Sequence, residues 1–198
     1  EVLKQELLDP KLIADPLTGQ KINTLLLNRG ASADQPTVLF IPPINNDISA
    51  APHSDRVNYT HARIKELAKF LPDQRMVAFD YPSVGGSDKM TDAQNSAFER
   101  GHGFEEIAKT QLRILQALGV EELDIVSQSL GAFTGAQVAR FASEFGIQVK
   151  HALLTETPGV IDASLSEMFL KRFAPENPLV SLHHATALDP ELMKKVNL

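Results

Sequence analysis

Serine attacks a carbonyl only where its hydroxyl is exposed, a base can take its proton, and donors can hold the oxygen that becomes negative. The stretch Asp124-Ile125-Val126-Ser127-Gln128-Ser129-Leu130-Gly131 meets the geometric part of that demand. An apolar run stops at Val126, a helical pattern begins at Leu130, and Ser129 falls between them. So tight a corner forces its central residue into a strained backbone conformation. The residues two places to either side must then be small, as Ser127 and Gly131 are. Small-x-Ser-x-small is a relaxed form of the G-x-S-x-G nucleophile elbow, with Ser127 where glycine is commoner. The corner lifts the Ser129 hydroxyl above a sheet and aims the first helical amides, Leu130 N–H among them, at the same place. An isolated S-x-S-x-G would be read as a helix N-cap. The apolar run before it and the helical pattern after it favour the elbow.

The elements that must position this corner are readable from periodicity. Apolar runs at 38–41, 76–79, 123–126 and 152–155 are continuous rather than alternating, which predicts strands covered on both faces of a parallel sheet. The run 22–27 follows a turn-like Asp15-Pro16-Leu17-Thr18-Gly19 and reads as an outer strand. Helical stripes lie between the runs. Ile64, Leu67, Ala68 and Leu71 form one. Phe104, Ile107, Ala108, Leu112 and Leu115 form a second, with Gly119 as its C-cap. Leu130, Phe133, Val138, Phe141, Ala142 and Phe145 form a third, ending at Gly146. Gly131, Ala132, Gly135 and Ala136 would let this last helix lie close to the sheet. The spacing leaves room for one crossover helix between successive strands. This alternation implies a doubly wound, mostly parallel α/β sheet with its ligand site at the carboxyl ends of the strands.

Two loops at those ends extend the pattern. Pro42-Pro43-Ile44-Asn45-Asn46-Asp47 follows the 38–41 strand, and Asp80-Tyr81-Pro82-Ser83-Val84-Gly85-Gly86-Ser87-Asp88 follows the 76–79 strand. With the elbow, these loops resemble the α/β-hydrolase family over roughly residues 20–160. The family's first loop usually reads His-Gly, and the next residue donates a second oxyanion N–H. Pro42-Pro43 takes the His-Gly place here, so the resemblance makes Ile44 that donor. The second loop is similar to the family's Asp-x-x-Gly-x-Gly-x-Ser-Asp segment, with Ser83 in place of its first glycine. Its role in the family is structural, and Asp80 is not expected to be catalytic.

Composition narrows the partners. With Lys+Arg 19 against Asp+Glu 25, the formal net charge is −6, which argues against a nucleic-acid partner. No apolar run approaches the length of a membrane span. There are no cysteines, hence no disulfide and no thiolate nucleophile. No His/Asp/Glu spacing suggests zinc, and no cofactor is implied. Glu1-Val2-Leu3-Lys4 has neither an initiating methionine nor a signal-peptide pattern. The expectation is a cytoplasmic chain that begins inside a longer gene product, with a secreted origin left open.

The resemblance implies an acid and then a histidine after the serine. Glu156 directly follows its strand, where some family members present the acid. A strand-end carboxylate bonded to nearby amides is an equal reading. Asp162 is a weaker candidate, and Asp189 before Pro190 reads as a helix N-cap. His184, beside His183, is the candidate base inside the chain; the alternative puts the base outside it. His53, His61 and His102 precede the serine and violate the family order, and His151 opens a strand at the end away from the site. Two further βα units at roughly 30 residues each do not fit comfortably after the 152–155 strand. Residues 1–162 therefore read as an α/β-hydrolase core. Residues 163–198, with Leu165, Met168, Phe169 and Phe173 at helical spacing, read as the start of a helical cap over an apolar acyl or aromatic pocket. The expected activity is serine hydrolysis of an ester, thioester or amide of a small acyl substrate. A separate C-terminal segment or a homo-oligomer is the expected macromolecular partner. The rival is a non-catalytic binding module of the same fold. A nucleotide-binding α/β protein is weaker, because Pro42-Pro43 offers no phosphate-cradling glycines.

Overall fold

The computed structural model describes residues 10–27, 35–43 and 59–155. In chain order these form β1 (Lys11–Ala14), β2 (Lys21–Leu27), β3 (Thr37–Ile41), α1 (Tyr59–Phe70), β4 (Met76–Phe79), α2 (Asp92–Glu99), α3 (Gly103–Ala117), β5 (Glu122–Gln128), α4 (Gly131–Phe141) and β6 (Gln148–Thr155). The strands make one sheet in the order β1-β2-β4-β3-β5-β6. β4, β3, β5 and β6 run parallel, while β2 is antiparallel to both β4 and β1.

The alternation of side chains along each strand divides the core in two. Leu39, Ile41, Val77, Phe79, Leu123 and Ile125 face α2, α3 and α4 and join one buried cluster with Phe104, Ile107, Leu112 and Val138. Val38, Phe40, Met76 and Ala78 face the other way and pack with Ile64 and Ala68 of α1. Because both faces of β3 and β4 are covered, their runs are apolar throughout. Each fully buried large side chain contributes about 1.5–3 kcal/mol, so these two strands anchor the sheet.

The helical stripes fall where the spacing puts them. Pro72 follows the end of α1. Gly119 follows α3 and Gly146 follows a 3₁₀ turn (Ala142–Phe145), both with positive φ. Four expectations are corrected. The outer strand is β1, not β2: β2 lies inside it, paired on both sides. Two helices, α2 and α3, rather than one, connect β4 to β5. β6 is not covered on both faces by the described residues: it ends the described sheet, with Leu153 57% and Leu154 40% exposed. His151 lies in the middle of β6 rather than opening it.

α2 is started by a capping box. The Thr91 hydroxyl accepts the Gln94 N–H, and the Gln94 side chain accepts the Thr91 N–H. Gln94 also exchanges amide hydrogen bonds with Gln20 at 2.9 Å and donates to Thr110 of α3. Arg113 forks onto the buried Asp15 carboxylate at 2.8 and 2.7 Å. Burial alone would raise the Asp15 carboxyl. Arg113, the Leu17 amide and the Thr18 hydroxyl outweigh it and hold the group below the usual carboxylate range. The turn between β1 and β2 is thereby fastened to α2 and α3.

Candidate active site

Ser129 comes immediately after β5, at the carboxyl end of the parallel strands, and α4 begins two residues later. Its φ is 55°, in the left-handed region that a side chain ordinarily avoids. A conformation of this kind costs of order 1–3 kcal/mol and persists only when the surroundings impose it.

Those surroundings are specific. The Ser129 N–H donates to the Thr155 carbonyl of β6 at 2.9 Å, and the Ala132 N–H donates to the Ser129 carbonyl at 2.9 Å. Behind the corner, α4 lies hard against the sheet. A Cβ at Gly131 would come within 2.5 Å of the Pro42 carbonyl oxygen and 2.7 Å of that of Ile41. A Cβ at Gly135 would come within 2.6 Å of Ser127 Oγ. Only glycine fits at these two points. Ala132 is buried, but Ala136, expected on the same face, is exposed and plays no part in the approach. Ser127 is fully buried and its hydroxyl has no partner among the described residues, which fits its standing where glycine is commoner. Its small size, not its polarity, suits the place. From the other side, Tyr81 bonds Thr134 of α4, oxygen to oxygen, at 3.2 Å. Burial pushes the Tyr81 phenol up, so it stays neutral.

Ser129 is half-buried, and its hydroxyl makes no hydrogen bond among the described residues. Nor does the Leu130 N–H find an acceptor among them. A hydroxyl and an amide that are both uncommitted among the described residues, at a helix N-terminus, can present a nucleophile and a place for negative charge.

The glycine-rich loop does structural work. Asp80 is completely buried and accepts from Asn23 Nδ2 at 2.7 Å. Asp88 accepts the Lys21 N–H, and Ser87 accepts the Asn23 N–H. Ser83, in the place of the expected glycine, takes a φ of 65°. Its hydroxyl accepts the Met90 N–H at 3.0 Å.

Of the proposed site residues, Ser129 and Leu130 lie within the described residues, while Ile44, Glu156 and His184 lie outside them. So do His53, Asp162 and the whole 163–198 segment. His61 belongs to α1, its side chain undescribed. His102 stands 3.7 Å from Glu105, and His151 faces Asp124 at 2.9 Å. Sequence reasoning missed Thr155 and the Tyr81–Thr134 pair, which no local pattern signals. A cavity of about 300 Å³ opens beside α1, lined by Phe40, Leu67, Phe70, Val126, Gln128 and Thr155 among others. Ser129 is not among its lining residues, although Gln128, next to it in the chain, and Thr155, which accepts its N–H, are. Among the described residues, no helix is long and apolar enough to cross a membrane, and no cluster of three or more His, Asp or Glu could hold a metal ion.

The sequence also matches a family model. Residues 36–186 fit the alpha/beta hydrolase fold. The chain belongs to the α/β-hydrolase family. None of the curated proteins matches it. A putative hydrolase from Agrobacterium vitis S4 is similar at 17% identity and a TM-score of 0.56, over 87% of this chain and 62% of that one. An epoxide hydrolase of the alpha/beta hydrolases superfamily, from metagenomes of hot environments, is similar at 17% and 0.60, over 96% and 58%. A proline iminopeptidase-related protein from Thermus thermophilus is similar at 16% and 0.56, over 94% and 59%. The chain thus spans about three-fifths of the length of these structures, and the likeness is one of fold.

Proposed function

We propose that the chain is a serine hydrolase that cleaves an ester, thioester or amide of a small acyl compound. Ser129 Oγ attacks the carbonyl carbon and gives up its proton to a histidine base. The carbonyl oxygen becomes an oxyanion held by the amides of Leu130 and Ile44. Collapse of the tetrahedral species expels the alcohol, thiol or amine, which takes the proton back. Water then releases the acyl group by the same steps in reverse order. His184 and Glu156 are the base and its orienting acid in this reading, with a base outside the chain as the alternative. Leu165, Met168, Phe169 and Phe173 would supply an apolar acyl or aromatic pocket. The observation that carries the reading is the positive φ of Ser129 together with a hydroxyl that is uncommitted among the described residues.

A second reading is a non-catalytic module of the same fold. It is favoured by the two histidines whose side chains are described, which face Glu105 and Asp124. Intact-mass measurement after treatment with a fluorophosphonate separates the two. The hydrolase gains one phosphonyl group, and Ser129→Ala gains none. An unmodified wild-type chain supports the binding module, or a base that lies outside the chain.

A further inference from the structure

The residue that holds the elbow stands on the neighbouring strand. Thr155 ends β6 and lies opposite Gln128 in the parallel register. It grips the corner on both sides. Its backbone carbonyl accepts the Ser129 N–H at 2.9 Å, and its hydroxyl donates to the Ser127 carbonyl at 3.1 Å. The two bonds bracket the point where φ turns positive at Ser129. Any strand residue there could supply the first bond, but the second needs a β-hydroxyl. A valine would fill the same volume and leave the Ser127 carbonyl without that donor. The strain at Ser129 must be imposed by neighbours, and this clamp is a specific one.

We infer that Thr155 is a positioning residue that fixes the height and direction of the Ser129 hydroxyl through a two-point clamp on the elbow. As a statement about catalysis, this rests on Ser129 being the nucleophile. As a statement about the corner, it does not. Without the Thr155 hydroxyl, residues 127–129 relax toward ordinary backbone geometry, and the serine spends less time aimed at the place the Leu130 amide faces. A nucleophile displaced by a fraction of an ångström loses rate more than affinity.

Two measurements on the full-length chain test this, using Thr155→Val and Thr155→Ser. The first is hydrogen exchange of the Ser129 amide by NMR, which requires no catalysis. Thr155→Val is expected to lower its protection about fivefold to tenfold, the loss of one hydrogen bond's net contribution. Thr155→Ser should restore it, and the Leu39 amide in the sheet centre should not change in either variant. The second is the fluorophosphonate reaction. Thr155→Val should lower the maximal inactivation rate by about fivefold to tenfold while the half-saturating concentration stays constant, with Thr155→Ser recovering the rate. If Ser129 protection is the same in wild type and Thr155→Val, the clamp does not exist and the inference fails. If protection falls but the wild type never reacts, the clamp stands and the reading of this chain as a self-sufficient serine hydrolase fails. A Leu39 amide that loosens in parallel with Ser129 would mean a general loss of stability and would also overturn the inference.

Discussion

Two serines among the described residues have positive φ, Ser129 at 55° and Ser83 at 65°. Each sits in a loop at the carboxyl end of a parallel strand, and each stands in a tight turn. They differ in what their hydroxyls do. Ser83 Oγ accepts the Met90 N–H, and the Ser83 N–H donates to the Asp88 carbonyl, so the whole residue belongs to the loop. Ser129 has its backbone tied to Thr155 and Ala132 while its hydroxyl is uncommitted among the described residues. Strain with a committed hydroxyl builds a turn. Strain with a free hydroxyl beside a free amide presents a group to something else. Backbone conformation alone would not separate them.

The largest expected effect tests that difference directly. Ser129→Ala should abolish phosphonylation, a loss of about 10³-fold or more, whereas Ser83→Ala should react within about twofold of wild type. Comparable losses in both would break the distinction. Next in size is Gly131→Ala. Its methyl would meet the Ile41 and Pro42 carbonyl oxygens, so α4 must lift from the sheet. The expected cost is about 3 kcal/mol of overpacking, read by urea denaturation, and the phosphonylation rate should fall as the Leu130 amide moves. Wild-type stability in this variant would show that α4 is held more loosely than its contacts indicate.

Third is the fastening far from the elbow. Arg113→Leu leaves the Asp15 carboxylate buried without its fork, at an expected cost of about 2 kcal/mol near neutral pH. The pH dependence has a definite sign. Asp15 is held below its ordinary range in the fold, so its contribution is present above the unfolded-state carboxylate pKa. It is lost as pH falls through the lower folded value. In Arg113→Leu, burial acts without its main counterweight and the carboxyl rises. The stability deficit of the variant should therefore be largest near neutral pH and shrink as pH falls through the carboxylate range, as followed by urea denaturation at a series of pH values. Its Ser129 should still react with fluorophosphonate under conditions where it is folded.

How much of this was legible depends on whether the determinant is local. β3 and β4 could be read because burial on both faces makes their runs apolar throughout. The elbow could be read because its steric demand falls on residues 127 and 131, within a few positions of the serine. β1 was missed because Lys11-Leu12-Ile13-Ala14 is short and mostly exposed, with no apolar face to betray it. α2 was missed for lack of a stripe, although Thr91 and Gln94 spelled its capping box in the sequence. β6 misled, because its apolar run implied two covered faces while Leu153 and Leu154 are exposed. Thr155 and the Tyr81–Thr134 bond were invisible for a different reason. Each joins elements distant in sequence, and nothing near either residue signals its partner.

The smallest effect sharpens the comparison most, because it turns on a sign. Glycine at either strained position relieves about 1 kcal/mol of backbone cost, and it gives back a comparable amount through the freer unfolded chain. What remains is the hydroxyl. Ser83→Gly also loses the acceptor of the Met90 N–H, so it should be destabilised by about 1 kcal/mol. For a chain of this size that is roughly 2–4 °C in Tm. Ser129→Gly loses no hydrogen bond to its side chain among the described residues, so its Tm should equal or slightly exceed that of wild type while phosphonylation disappears. A serine whose removal costs reactivity but not stability is kept for what it does rather than for what it holds together. If Ser129→Gly proves the less stable of the two, its hydroxyl is engaged in the fold after all, and the two serines are alike.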